Sequence, residues 1–317
     1  MSEGSTEKRA STVSLRLLLV LLFVIWANSF TAIKHLREVF SPRELVLARF
    51  LPVALFASAS LAWTRARRRE CAEILRAEPL RLAAMGLTGV AGYNYFLYLG
   101  QSEVKPGAAA LLTTLSPLFT LFLAIILLRE KVPVRRAVGI IVSLIGLFVV
   151  VRYGKVGLGR VTAPAHSDVR YVLITSLAPL SWSLYTILGK PILRRFSPIV
   201  VTYLTLIIGT LPFLGITGEP FFPTLFALTA TQWIALAYLS VFCTLIGFWI
   251  WFAALKRMPA TSVASFVYLN PPLAALFGGL FFGEEIGGLF ILGGAVLLFG
   301  LYLAQNGAEG RSERSDS

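Results

Sequence analysis

Residues 114–131 read TLSPLFTLFLAIILLREK, and residues 268–285 read YLNPPLAALFGGLFFGEE. Each stretch sets a polar residue before a proline, continues through an apolar run and ends on an acid. A shift of 154 places Pro117 on Pro271, Glu130 on Glu284, Gly139 on Gly293 and Gly146 on Gly300. Upstream, a shift of 156 places Trp26 on Trp182, Lys34 on Lys190, Phe40 on Phe196, Ser41 on Ser197 and Pro42 on Pro198. Leucine and valine coincide between any two apolar helices, so they carry no weight. Matches at Trp, Lys, Pro and Glu do, and they mark a duplication whose two offsets differ by a short gap. The copies run over 15–152 and 169–305. Segment 1–14 precedes them, a polar linker (153–168) joins them, and a tail (306–317) follows.

The chain has 317 residues, 56% of them hydrophobic and 14% charged. A soluble domain carries about 25% charged residues. Apolar runs near twenty residues recur, and a bilayer core needs roughly 20 apolar residues as helix. Backbone groups in lipid must be satisfied within the segment, so these runs are helices. The short alternating segments of a membrane barrel are missing. The expected fold is an all-α membrane protein with ten transmembrane helices. The candidate spans are 15–33, 42–63, 81–100, 106–128, 134–152, 169–189, 198–218, 231–255, 260–282 and 286–305. Pro42 and Pro198 stand where a helix begins, the position at which a missing N–H does least harm.

The net charge is +13. No nucleic-acid module accompanies it, and in a membrane protein basic residues gather in cytoplasmic loops. With the N-terminus inside, the RARRR run (Arg65 to Arg69), Arg135, Arg136, Arg194 and Arg195 all fall inside. One outer loop, with Arg152, Lys155, Arg160 and Arg170, goes against the trend. The expected topology has both termini cytoplasmic, in a bacterial inner (plasma) membrane. Ala27-Asn28-Ser29 faintly resembles a signal-peptidase site, but the repeat needs this segment as its first helix. Cys71 lies in a charged loop and Cys243 in an apolar span, a placement that does not suit a disulfide framework.

Five spans per copy is an odd number, so the second copy starts on the opposite side of the membrane. The expected architecture is two inverted five-helix repeats around a central cavity, the plan of many secondary transporters. Here the chain resembles the drug/metabolite transporter superfamily in its ten-helix EamA-domain branch. The resemblance rests on WANSF in the first span, LARFLP in the second, and the paired proline-to-acid blocks quoted above. It implies a pseudosymmetric basket of helices that exports small metabolites or drugs. The double proline Pro271-Pro272 departs from the single one of the first copy.

No GxxxxGK[ST] motif is present for ATP drive. No carboxylate or histidine falls at mid-membrane: His35 and His166 sit in outer loops, and the acids lie at or beyond span ends. An intramembrane protease would need such groups, and no GxSxG or HExxH motif appears. The reading is a transporter without enzymatic activity and without cofactor or metal. Its partners are a small-molecule substrate and the lipid bilayer, with no nucleic acid.

Polar, uncharged and aromatic side chains remain for the cavity: Asn28, Tyr93, Asn94, Tyr98, Ser116, Trp182, Tyr185, Trp249, Tyr268 and Asn270. Hydroxyls, amides and indoles orient a zwitterion or heteroaromatic solute while their rings line an apolar pocket. Asn94 and Asn270 have a competing use as interhelical hydrogen-bond partners. Trp249 and Trp251 diverge by about 200° on a helix, so only one faces inward, and Trp249 is the preferred candidate. Trp63, Trp233 and Tyr302 suit interfacial anchoring. Pro117 and Pro271 are expected to bend their spans. Glu130 and Glu284 are either gate latches or solvated turn residues. Arg49 either binds a carboxylate solute or snorkels to the outer interface. Amino acids or similar metabolites fit this inventory better than phosphorylated sugars.

Overall fold

The computed structural model describes residues 3–104, 106–153, 169–215, 221–270, 272–273 and 288–306. All regular structure among these residues is helical. Among the described residues four helices are long and apolar enough to cross a membrane: Ser14–Leu36, Pro42–Trp63, Arg170–Ile192 and Ala230–Arg257. Shorter apolar helices cover Ser116–Leu127, Pro198–Phe213, Ala260–Leu269 and Ile291–Gln305.

In the first copy, α1 (Glu3–Ala27) and α2 (Ser29–Leu36) are parted by one turn residue, Asn28. The Ser29 hydroxyl donates to the Trp26 carbonyl at 2.7 Å, satisfying a carbonyl near the break. α3 (Pro42–Trp63) starts on a capping box: the Ser41 oxygen accepts from Glu44 N–H, and the Glu44 carboxylate accepts from Ser41 N–H. α4 (Arg65–Ala77) makes a helix of the segment read as a charged loop. Its Thr64 cap starts it, and Glu70 holds it down by accepting from the backbone N–H and hydroxyl of Ser197 at 2.5 and 2.9 Å. α5 (Pro79–Met85) and α6 (Tyr93–Gly100) follow, then α7 (Pro106–Thr113), α8 (Ser116–Leu127) and α9 (Val134–Tyr153).

The second copy contributes α10 (Val169–Ile192), α11 (Pro198–Thr210), α12 (Phe221–Phe226), α13 (Ala230–Ala237), α14 (Gly247–Arg257), α15 (Ala260–Ser265) and a closing helix (Gly288–Asn306). Two wide π segments interrupt the third span of each copy: Gly86–Gly92 between α5 and α6, and Tyr238–Ile246 between α13 and α14. The shift of 154 carries Gly92 to Ile246, so the irregularity was duplicated with the sequence. π segments of this kind often mark functional sites.

Packing pairs the copies. α3 lies on α11, α8 on α15, and α9 on the closing helix. The contact of α1 with α14 is matched by that of α10 with α6. A methyl group at Gly139 would meet the Gly300 carbonyl at 2.6 Å, and one at Gly146 the Gly293 carbonyl at 2.8 Å. The early glycine of α9 thus faces the late glycine of the closing helix, and the late faces the early, so these two helices run antiparallel. Removing four side chains lets the backbones touch.

Pro117 begins α8 rather than bending a continuous helix, because the span breaks between Thr113 and Ser116. Its missing N–H falls in the first turn, where no intrahelical partner is lost. Pro271, Glu284 and Glu285 lie outside the described residues.

Candidate functional site

An internal cavity of about 40 Å3 lies between the copies. α1 and α2 supply Phe23, Trp26 and Ser29, and α3 supplies Arg49. Tyr93, Leu97, Thr113 and Ser116, with Phe30 and Ile33 of α2, complete the first copy's share, while Trp182, Phe248, Val267 and Asn270 come from the second. Three of these lining pairs are repeat counterparts. Trp26 and Trp182 correspond by the shift of 156, and Thr113 with Val267 and Ser116 with Asn270 by 154. The space takes a few water molecules.

The wall is a knot of rings around Trp182. Its centroid lies 5.1 Å from Tyr93, 5.4 Å from Trp26, and 5.2 Å from both Phe248 and Trp251. The π segments make room for it. The Trp26 indole N–H donates at 2.9 Å to the carbonyl of Cys243, inside the second π segment. A side chain at Gly247 would stand 2.8 Å from that indole nitrogen, and one at Gly89 would stand 2.2 Å from the Tyr185 ring.

Of the residues expected from sequence, Tyr93, Ser116, Trp182 and Asn270 line the cavity. Asn94 and Tyr98 sit one layer behind, where both accept from Arg49. Tyr185 backs Trp182; its hydroxyl pairs with Thr205 at 3.2 Å and its ring stacks on Phe252. Tyr268 is fully buried in a separate small cluster with Ile140 and Leu297. Asn28 is exposed at the helix break, donating back to Val24. Trp249 is corrected: it is 41% exposed and points out of the bundle, while Trp251 is fully buried among the rings. The two side chains diverge on the helix, and their spacing alone does not say which faces inward.

Arg49 does not snorkel. It is 5% exposed, its Nε donates to Thr244 at 2.7 Å, and its Nη1 donates to Tyr98 at 2.7 Å and to Asn94 at 3.2 Å. Trp26 is not among the cavity residues expected from sequence, and Arg49 stood there between binding a carboxylate solute and snorkelling. Trp26 had a signal, its repeat match to Trp182, and so did Arg49, a charge inside an apolar span. Among the described residues no group of three His, Cys, Asp or Glu side chains could hold a metal.

A second polar cluster ties α8, α9 and α15. The Glu130 carboxylate lies 3.4 Å from Nη1 of the buried Arg136 and accepts from Thr261 at 2.9 Å. Arg136 also donates to the Ala304 carbonyl. Glu130 is positioned by a helix-end turn: Arg129 takes the left-handed φ of 50°, and the Glu130 N–H returns to the Ala124 carbonyl. Nearby, Lys190 donates to the carbonyls of Leu255 and Met258, both at 2.6 Å. Its repeat counterpart Lys34 is exposed.

A duplicated helical bundle with membrane-length apolar helices and an aromatic cavity between its copies defines an integral membrane protein of the transporter class. The profile of the EamA-like transporter family matches residues 14–152 and 169–305, and the chain belongs to that family. It is 30% identical to a probable terminal-alkyne amino-acid exporter of Streptantibioticus cattleyicolor, covering 94% of this chain and 96% of that one. It is 26% identical to a probable amino-acid metabolite efflux pump of Salmonella typhimurium, over 90% and 93% of the two chains. One solved crystal structure shares the fold, with a TM-score of 0.69 at 19% identity over 93% of this chain and 96% of that one.

Proposed function

We propose that this protein exports amino acids or similar small metabolites across the plasma membrane by alternating access, without ATP. The observation that carries the reading is the aromatic cavity lined by repeat counterparts from both copies. The antiparallel crossing of α9 with the closing helix supports ten spans arranged as inverted repeats, a plan in which one half rocks against the other around a midplane site. Two relatives named as exporters of amino acids or their metabolites support the substrate class and direction.

In this reading Glu130, Arg136 and Thr261, with Lys190 capping the end of α14, form the latch at one mouth of the cavity. Opening requires these contacts to separate. In sequence, the counterpart of Glu130 is Glu284.

Counterflow of labelled amino acids in proteoliposomes of known orientation tests the reading. Saturable exchange supports it. An absence of exchange across amino acids and related metabolites removes the proposal.

A further inference from the structure

Arg49 is the charged side chain of the cavity lining, and its surroundings are neutral. A guanidinium carries five donors. Three of the contacts it makes are to a threonine hydroxyl, an asparagine oxygen and a tyrosine hydroxyl. Those bonds run through Nε and Nη1, and among the described residues the ion pairs with carboxylates do not include Arg49. A buried cation without an opposite charge is expensive, and neutral acceptors recover only part of the cost.

The fold does not demand this cation. The shift of 156 carries Arg49 to Thr205, and the shift of 154 carries Asn94 to Phe248 and Tyr98 to Phe252. The second copy fills the equivalent place with the Tyr185–Thr205 hydrogen bond and with aromatic rings. One scaffold therefore closes equally well on neutral groups, and the guanidinium answers to something else. Asn270 adds a second observation. It is 6% exposed and lines the same cavity, and its side-chain oxygen has no donor among the described residues. A cation without an opposite charge and a spare acceptor thus share one cavity, with Trp26, Trp182 and Tyr93 also in its lining.

We infer that Arg49 binds the carboxylate of the transported solute, and that the Asn270 oxygen accepts from a donor on the same solute, such as an α-ammonium group. Charge-assisted bonds of guanidinium to carboxylate are the strong ones, and a site with buried polar groups rejects analogues that leave them unpaired. The inference rests on the reading of this cavity as the transport site. It adds that the solute is an anion or zwitterion recognised by its carboxylate, so the amide of the same molecule binds more weakly.

The test uses the purified full chain with four matched probes: L-phenylalanine, L-phenylalaninamide, phenethylamine and 3-phenylpropionate. Thermal shift reads binding, and competition against labelled phenylalanine counterflow reads transport. Phenylalanine should bind at least about tenfold more tightly than its amide or phenethylamine, the discrimination expected of a charge-assisted bond. Loss of the ammonium in 3-phenylpropionate should cost less. Arg49→Lys should keep the preference for acid over amide, and Arg49→Gln should erase it. Should Arg49→Gln fail to fold, the wild-type ratio of acid to amide decides alone. Equal binding of acid and amide, an unchanged preference in Arg49→Gln, or no binding of any probe overturns the inference. Counterflow without discrimination leaves the transport reading standing and removes Arg49 from it. Discriminating binding without counterflow does the reverse.

Discussion

The indoles of Trp26 and Trp182 meet edge to face with centroids 5.4 Å apart and planes at 83°. Each is the other's counterpart in the duplicated sequence, so the contact joins equivalent points of the two copies at the cavity wall. This pairing ties the evolutionary repeat to the site, because a wall shared by both copies changes shape whenever one copy moves against the other.

Trp182 touches five other rings and is 4% exposed, so its truncation opens a large hole. Trp182→Ala should cost about 3–5 kcal/mol and abolish counterflow. Trp182→Phe keeps most of the wall and should retain measurable exchange. Thermal unfolding in detergent and proteoliposome counterflow check both variants.

Gly146 sits against backbone: an added methyl would stand 2.3 Å from the Leu297 nitrogen, which cannot swing aside. Gly146→Ala should destabilise the protein by about 1–3 kcal/mol, the range for overpacking. Its neighbour Ile145 is 55% exposed, on the outer face of the same helix. Ile145→Ala should leave the melting temperature within a degree or two, because surface changes away from such contacts have small effects. If both variants melt alike, the close crossing of α9 with the closing helix is wrong.

Glu130 accepts from both Thr261 and Arg136 across three helices. Glu130→Gln removes the charge that Arg136 faces, at about 1.5–3 kcal/mol for a hydrogen bond to a charged group, and should favour the open mouth. Ala264 is 1% exposed nearby on α15. Alkylation of an Ala264→Cys protein should speed up several-fold when Glu130→Gln is added. An unchanged rate would mean that Glu130 is a fixed brace rather than a latch.

Cys71 lies on α4, outside the apolar spans, and burial pushes its thiol above the ordinary value. A raised pKa means less thiolate at a given pH, so maleimide should label Cys71 slowly near neutrality and faster as the pH rises past the usual thiol range. Cys243 is buried and should stay unlabelled. With a cytoplasmic α4, an impermeant maleimide should label inverted vesicles and spare intact cells. The opposite pattern would reverse the proposed topology.

Much of this protein was legible before any coordinate. Proline, tryptophan, glutamate and glycine have backbone or packing requirements that survive duplication, so the repeat stands out against interchangeable leucines. Membrane-length apolar runs follow from the thickness of hydrocarbon. The site was only half legible. Composition could say which polar and aromatic residues lie in apolar spans, but not which of them meet. Trp251 rather than Trp249 joins the ring cluster, and the divergence of the two on one helix could not say which would turn inward. Arg49 could be read as a snorkelling side chain until Thr244, from 195 residues further along, was seen to accept from it. The inward face of a helix, and the partners of a buried charge, depend on contacts between distant segments. Local sequence records only one side of each such contact, so the tertiary structure had to supply the other.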